Sequence, residues 1–252
     1  MKHLLRFLLY LLAAVFFLPT LATLLLSFFP EGELSLSGYD DLFFDCFSFY
    51  TMFWNSVIYA YAITALQLVV ILPAAFAFSF ARFKHKETLF FFYIILMMMP
   101  LQVMILPNYI GLRDMGILNT RAGIILPMIF SPFGVVVLRQ YMKNIDASVI
   151  EATRLETNSM VRLLLHAVAP QVQVCLYAVG IFVFAESWNM LEQPMLLLQD
   201  KNLKTLTIFF NNSTSYGDQI LYPASVVFMI PILLLYLFFH RELERGLTLH
   251  DS

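Results

Sequence analysis

Two long runs without a charged residue constrain this chain more than any other feature. They extend from Phe7 to Phe29 and from Phe47 to Ala81. A bilayer core about 30 Å thick requires about 20 consecutive apolar residues in a crossing helix, so each run is long enough to span it. The composition extends this conclusion to the rest of the chain, because 60% of the residues are hydrophobic and only 13% are charged. Soluble domains carry about 25% charged residues, so we expect an all-α integral membrane protein.

The positions of the apolar runs predict six transmembrane helices. We expect them at residues 7–29, 47–81, 88–106, 122–138, 171–191 and 220–239. The first helix is expected to be retained, since its apolar run is longer than that of a signal peptide. Pro73 is expected to kink the second helix, and Pro100 and Pro107 to break the far end of the third. Between the helices we expect an acidic loop at 31–45, a loop with an amphipathic segment at 108–120, and a polar loop at 195–219.

The distribution of basic residues indicates which side of the membrane is cytoplasmic. Six crossings place both termini on one side, together with eleven of the 15 Lys and Arg residues: Lys2, Arg6, Arg82, Lys84, Lys86, Arg139, Lys143, Arg154, Arg162, Arg241 and Arg245. The other side receives Arg113, Arg121, Lys201 and Lys204. Because basic residues are retained on the cytoplasmic side, we expect both termini and the loop between the fourth and fifth helices to be cytoplasmic.

That loop, residues 146–170, is unusually polar for this chain. Its second half nevertheless places apolar residues at helical spacing on one face, namely Met160, Leu163, Leu164, Ala167 and Val168. Asp146 is a candidate N-cap for a first helix, and Asn158 or Ser159 for a second. We therefore expect two short helices, joined at Thr157-Asn158, that lie on the membrane face. On these grounds alone, an amphipathic loop without a specific role is the alternative.

The sequence of this loop resembles the EAA loop of ABC importer permeases. The resemblance rests on Glu151-Ala152-Thr153, on Thr157-Asn158 and on the ending Val168-Ala169-Pro170. Further segments, in the same order, are similar to the smaller permease of maltose-type sugar importers: Asn55-Ser56, 76–86, 99–107, 116–120, 131–141, 187–189, 204–206 and 245–248. The resemblance implies an ABC transmembrane type-1 fold with six crossings. It implies an N-terminal transmembrane helix and outer loop at 1–46, the ABC transmembrane type-1 domain at 47–245 and a cytoplasmic tail at 246–252.

In that family the EAA loop forms coupling helices that dock on a cytoplasmic ATPase. The resemblance therefore implies that the residues that couple to the ATPase here are Glu151, Ala152, Thr153, Arg154, Glu156, Thr157 and Asn158. It also implies a second homologous permease, an ATPase dimer, an extracytoplasmic solute-binding protein that the 195–219 loop contacts, a carbohydrate solute, and a bacterial cell membrane location. Two residues depart from the motif: Thr157 replaces its glycine and Ala169 replaces a leucine. Because a β-branched residue disfavours a positive φ, we expect the turn to have shifted to Asn158.

The chain has no nucleotide-binding motif of its own. Gly111 and Gly116 have the glycine spacing of a P-loop, but Ile117 and Leu118 stand where Lys and Ser or Thr are needed. We therefore expect no enzymatic activity and no cofactor in this chain, with ATP and Mg²⁺ held by the partner ATPase. Two cysteines make no metal cage. The sequence has no basic cluster of the kind that binds nucleic acid.

Three residues near the end of the fifth crossing are candidates for the solute path. They are Glu186, Trp188 and Asn189, with Trp188 available to stack on a sugar ring. The alternative is a Trp of the aromatic belt with a structural hydrogen bond between helices. The family usually has an acid after Trp-Asn, whereas this chain has Met190, so that acid's role is not transferred.

Two other classes of protein remain open at this point. An ion-coupled carrier requires ionisable residues at mid-membrane and an inverted repeat, and neither is clear in this sequence. A membrane-embedded hydrolase requires a serine or carboxylate paired with histidine, and Glu186 has no such partner in the pattern.

Overall fold

The computed structural model describes residues 2–29, 32–157, 159–212 and 217–248, and over these ranges the chain is built from helices. In chain order the helices are α1 (Lys2–Phe28), α2 (Ser37–Asp40), α3 (Phe47–Phe80), α4 (Lys86–Met97), α5 (Leu101–Asp114), α6 (Arg121–Ile129), α7 (Pro132–Met142), α8 (Ala147–Glu156), α9 (Met160–Arg162), α10 (Gln173–Trp188), α11 (Glu192–Leu197), α12 (Leu206–Asn211) and α13 (Asp218–Thr248). Turns of π-helix follow α2 (Asp41–Asp45) and α9 (Leu163–Val168), and a 3₁₀ turn covers Lys201–Leu203.

Four helical stretches in the described part are long and apolar enough to cross a bilayer. They are Arg6–Phe28, Phe47–Phe80, Arg121–Met142 and Asp218–His240. Two bent pairs of helices pass the same criterion together: α4 with α5 at 101°, and Met160–Val168 with α10 at 90°. The count reaches six, as the sequence predicts, when each bent pair is taken as one crossing.

The predicted bounds need correction in the third, fifth and sixth crossings. The third was expected to run to residue 106, but α4 ends at Met97 and the chain turns sharply before Leu101. Pro100 explains the break, because it lacks an N–H and disfavours a helical conformation in the preceding residue. Pro107 lies inside α5 without ending it, so much of the expected 108–120 loop is helix. The fifth crossing, α10, is shorter than expected, while α13 runs past residue 239 to Thr248.

The expected polar loop at 195–219 is also corrected, because it contains helical turns fixed by apolar anchors. Leu206 and Phe209, on α12, are 0% and 1% exposed. Both belong to an apolar cluster that also contains Phe49 and Trp188. Pairing of Leu206 and Phe209 on one helical face explains why this short helix docks onto the body.

The longest helix, α3, is the centre around which the others pack. Its contacts with α7 and α10 enclose the larger apolar core, where Tyr59, Ile63 and Ile71 are fully buried. Gly134 of α7 allows α3 and α7 to approach closely, since a Cβ there would lie 2.9 Å from the Ile71 Cδ1 atom. Pro73 lies inside α3 without ending it.

The helices have two distinct ends. At one end of the bundle α3 and α7 finish and α4 begins, and we call it the basic end because Lys86, Arg139 and Arg154 lie there. The opposite end, where α3 begins close to Asn55, is called the Asn55 end. The ring of Tyr177, early in α10, lies 5.5 Å from that of Phe239, so α13 also finishes at the basic end. The Tyr39 hydroxyl donates to the Ser27 Oγ atom at the end of α1, near the start of α13. The helix α1 therefore begins at the same end as α13 finishes, as an even number of crossings requires.

Candidate functional site

The candidate coupling segment, residues 146–170, lies at the basic end and contains two helical pieces. Asp146 caps α8 by accepting a 2.9 Å hydrogen bond from the Ser148 N–H, and that bond lowers the pKa of the Asp146 carboxyl. The Ser159 hydroxyl accepts from the Arg162 N–H at 3.4 Å and caps α9. The predicted pair of capped helices is therefore confirmed.

The junction between the two pieces suits the residue that replaces the motif glycine. Thr157 has φ −149° and ψ 135°, an extended conformation that β-branched residues favour. Its hydroxyl accepts a hydrogen bond from the Ser159 N–H at 3.2 Å. No left-handed residue is needed at position 157. The expected left-handed turn at Asn158 lies outside the described residues and stays a prediction.

The apolar stripe predicted for the second piece is partly confirmed. Leu163 and Val168 are 1% and 0% exposed and Ala167 is buried, whereas Met160 lies half-exposed. The helix changes to π-geometry at Leu163, which alters the spacing of the residues that follow. Single π-turns inside helices are found frequently at functional sites.

The first piece presents a mixed face of charge and apolar surface. Glu151, Ala152 and Glu156 are exposed. Leu155 is 91% exposed, whereas Ile150 on the opposite side of α8 is 5% exposed and packs in the main core. The helix α8 is thus held to the body by one face while the other projects from the basic end. A short helix fixed in this way can dock on another protein and carry its movement.

Two of the predicted coupling residues make side-chain hydrogen bonds within this chain. The Thr153 hydroxyl donates to the Val149 carbonyl, and an Arg154 Nη atom donates to the Phe80 carbonyl at 3.4 Å. Phe80 is the last residue of α3. Among the described members of the predicted coupling set, Glu151, Ala152 and Glu156 are exposed without such a bond, and Leu155 is exposed beside them. The coupling role of the seven residues stays a prediction. Periodicity did not single out Leu155, since an isolated exposed leucine is common.

Trp188 is part of the apolar core at the Asn55 end. It is 0% exposed, its indole N–H donates to the Phe228 carbonyl at 3.1 Å, and its ring lies parallel to that of Phe184. In this arrangement no ring face of Trp188 is open to a sugar, and a role in the solute path stays an untested prediction. The geometry favours the structural alternative.

The other two candidates for the solute path, Glu186 and Asn189, are exposed. The Asn189 amide donates to the Ala185 carbonyl at 2.8 Å and borders an open cavity of about 480 Å³. The cavity is lined by Asn189, Leu191, Thr207, Phe210, Asn211, Ser225, Phe228 and Met229. Nearby, the Gln102 amide reaches both carboxylate oxygens of Glu192 at 3.2 Å and links α5 to α11. No local sequence pattern marks Gln102, because its partner lies 90 residues away.

Motifs far apart in the sequence meet at the Asn55 end. The Asn55 amide donates to the carbonyls of Asn202 and Lys204, and Ser56 accepts from the Leu206 N–H. The side-chain Oδ1 atom of Asn119 accepts from the backbone N–H groups of residues 199 and 200. Asn119 has φ +59°, a left-handed conformation that asparagine tolerates better than most residues. These bonds fix the segment 199–206 on the ends of α3 and α6.

The segment with the glycine spacing of a P-loop is largely helical. Gly111 lies within the helix α5, so the segment 111–116 does not form a phosphate-binding loop. Within the part of the chain that the structure describes, no three His, Cys, Asp or Glu side chains are grouped to hold a metal ion.

Known proteins resemble the chain over most of its length. The arabinooligosaccharides transport system permease protein of Halalkalibacterium halodurans is 27% identical over 223 residues, which cover 87% of this chain and 80% of that protein. The sn-glycerol-3-phosphate transport system permease protein of Brucella abortus is 26% identical over 202 residues, which cover 78% and 72% respectively. A chain from the crystal structure of a bacterial ABC transporter involved in the import of the acidic polysaccharide alginate matches with a TM-score of 0.84 at 20% identity, covering 95% of both chains.

The chain is similar to transport permeases in sequence and to a chain of an ABC importer in fold. The predicted family, fold class and transport function are thereby confirmed, and an ion-coupled carrier or a hydrolase is no longer favoured. No protein-family model matches the chain. The predicted domain boundaries and the roles of individual residues stay predictions for this ABC importer permease.

Proposed function

We propose that this permease forms a carbohydrate pathway together with a second, homologous permease, and that a separate ATPase drives it through the segment 146–170. One observation carries the proposal: α8 is anchored to the body by Ile150 and projects Glu151, Leu155 and Glu156 outward. A rigid helix fixed to a bundle can carry a rigid-body displacement between two states of a pore. ATP and Mg²⁺ then belong to the ATPase.

The orientation in the membrane is part of the same proposal. The basic end contains Lys86, Arg139 and Arg154 close together, and α13 finishes there. Cytoplasmic loops are enriched in Lys and Arg, so this end faces the cytoplasm of a bacterial cell, with both termini. The Asn55 end then faces outward, where the segment 199–206 contacts an extracytoplasmic solute-binding protein.

The class of solute is proposed from the relatives. Their names cite arabinooligosaccharides and sn-glycerol-3-phosphate, and the structural neighbour imports alginate. These solutes are polar and rich in hydroxyl groups, and two of the three are carbohydrate polymers or oligomers. An oligosaccharide is therefore the solute that we propose, with a polyol phosphate as an outcome of the test.

Co-purification and uptake test the proposed function. The permease, isolated from its native membrane, is expected to bring an ATPase and a second permease with it. Membrane vesicles that contain this complex are expected to take up one member of a labelled panel of arabinooligosaccharides, alginate oligosaccharides, maltose and sn-glycerol-3-phosphate. Absence of an ATPase from the wild-type complex would contradict the proposal.

The substitution Glu151→Ala tests the docking face. Truncating one partner of a charged contact at an interface weakens binding strongly. We therefore expect uptake to fall by roughly tenfold or more. The chain is still expected to insert in the membrane. The matched control is Glu33→Ala, which removes an exposed carboxylate far from this segment and is expected to leave uptake unchanged. Undiminished uptake in the Glu151 variant would exclude that residue from coupling.

A further inference from the structure

The C-terminal end of α3 is bound by three cationic side chains. The last carbonyls of a helix have no partner within the helix, and the helix dipole makes that end attractive to cations. Here the Phe78 carbonyl accepts from the Nε atom of Arg139 at 3.0 Å. The Ser79 and Ala81 carbonyls both accept from the Nζ atom of Lys86 at 3.2 Å. The Phe80 carbonyl accepts from Arg154 at 3.4 Å.

Each of these cations comes from a different helix. Lys86 begins α4, Arg139 lies on α7, and Arg154 lies on the coupling helix α8. The end of the central helix is therefore tied to two neighbouring spanning segments and to the coupling segment. The four carbonyls are consecutive in sequence, so a displacement of α8 acts on the same turn of α3 that α4 and α7 hold.

Arg139 is the fixed member of the three. Its side chain is 3% exposed, its guanidinium lies 3.6 Å from the centre of the Phe90 ring, and an Nη atom donates to a Glu87 carboxylate oxygen at 2.6 Å. A buried guanidinium with a carboxylate, a carbonyl and an aromatic face as partners has little freedom to move. Arg139 thus holds α3, α4 and α7 together as one unit.

Arg154 is the member that has room to move. It is exposed, its bond to Phe80 is the longest of the set, and it borders a pocket of about 180 Å³ with Thr157, Ser159, Met160 and Leu163. The pocket lies beside the junction of α8 and α9, where the two halves of the coupling segment meet. Ile150 also holds α8, but apolar contact has no directional preference, whereas a hydrogen bond to a carbonyl does.

We infer that Arg154 is a positioning residue that fixes the coupling helix α8 relative to the end of α3. Movement imposed on α8 is thereby passed to the spanning helices. This inference rests on the proposed docking of an ATPase on the segment 146–170. It assigns Arg154 to the junction inside the permease and leaves the contact with the ATPase to Glu151 and its neighbours.

Reconstituted complexes test this inference. The measured quantity is the uptake, per ATP hydrolysed, of the panel solute that the wild-type complex transports. For Arg154→Ala we expect the ATPase to remain bound and the uptake per ATP to fall by roughly fivefold. This value is at the lower end of the range known for coupling between two sites, because the Arg154–Phe80 bond is exposed. Arg154→Lys keeps a cation at the carbonyl and is expected to restore most of the ratio. Arg82→Ala is the matched control and is expected to leave the ratio unchanged, because Arg82 is exposed, lies outside the segment 146–170, and its side chain makes no hydrogen bond within the described residues.

A second readout needs no solute. In the chain without Cys46 and Cys175, spin labels at Ser148→Cys and Lys84→Cys report the distance between α8 and the chain just beyond α3. In the otherwise unchanged complex we expect the same distance without nucleotide and with ATP and vanadate, since the two move together. With Arg154→Ala added, we expect the distance to shift or broaden when ATP and vanadate are present.

Two results would overturn the inference. One is an Arg154→Ala complex with unchanged uptake per ATP and an unchanged label distance. The other is loss of the ATPase from that variant to the same degree as from Glu151→Ala, which would place Arg154 on the docking face. Failure of the proposed function is distinguishable from both, because it appears as a wild-type complex without an ATPase.

Discussion

Single buried polar groups determine how the ends of the spanning helices are held. At the Asn55 end the indole N–H of Trp188 satisfies the Phe228 carbonyl of another helix, and the Tyr59 hydroxyl donates to the Leu203 carbonyl at 2.9 Å. Such bonds are needed because a buried polar group, such as the indole N–H, costs about 1–3 kcal/mol when it has no partner. The sequence identifies these residues as unusual, but it does not distinguish a side chain that bonds inward from one that meets a solute.

The structural role of Trp188 predicts its fluorescence. The chain has two Trp residues, so Trp54→Phe leaves Trp188 as the only one. Because Trp188 is fully buried, we expect its emission to resist quenching by iodide and to stay unchanged when solute is added. The matched variant Trp188→Phe leaves Trp54, which is 47% exposed, and is expected to be quenched more strongly. Iodide quenching of Trp188 that solute prevents would restore it to the solute path.

Close packing of α3, α7 and α10 is decided by small residues at the contact. A Cβ at Gly134 would lie 2.9 Å from the Cδ1 atom and 3.3 Å from the Cγ2 atom of Ile71, and 3.4 Å from Val179. In membranes such small residues let helix backbones approach closely. A single sequence does not reveal this contact, because glycine also occurs in helices at positions where no other side chain is near.

A pair of glycine substitutions tests the packing of these elements. Gly134→Ala is expected to lower the thermal unfolding midpoint in detergent, with a cost near 1 kcal/mol because the tip of the Ile71 side chain can partly move away. The matched control is Gly111→Ala, since Gly111 lies in α5 with open space around it. There we expect a gain of roughly 0.5–1 kcal/mol from the higher helix propensity of alanine. An unchanged midpoint for Gly134→Ala would contradict the close contact.

The predictable part of the fold is the part fixed by length and local chemistry. Uncharged runs predicted the four long crossings, and Asp146 and Ser159 correctly marked two helix starts, because a cap depends on neighbours in the sequence. The sharp bend before Leu101 was anticipated only as a break near Pro100, since a proline does not specify the angle that neighbouring helices impose. The hydrogen bond of Arg154 was missed because its acceptor, Phe80, lies 74 residues away.

At the scale of the whole molecule, the two ends of the bundle have different chemistry. The basic end collects Lys86, Arg139 and Arg154 around the end of α3, whereas the Asn55 end is held by amide and hydroxyl bonds to the segment 199–206. This asymmetry underlies the membrane orientation that we propose. It also underlies the proposed functions of the two ends, with ATPase coupling at the basic end and contact with the solute-binding protein at the Asn55 end. ATP hydrolysis at the basic end can open or close a gate at the Asn55 end only if the coupling segment faces the compartment that contains ATP.

The most direct test of this account is the side of the membrane on which Leu155 lies. The chain without Cys46 and Cys175, expressed without an ATPase, receives either Leu155→Cys or, as the control at the opposite end, Lys201→Cys. A maleimide that does not cross membranes is then applied to intact spheroplasts and to opened ones. We expect Lys201→Cys to be labelled in intact spheroplasts, and Leu155→Cys only after they are opened. Labelling of Leu155→Cys in intact spheroplasts would place the coupling segment outside the cell and contradict the account.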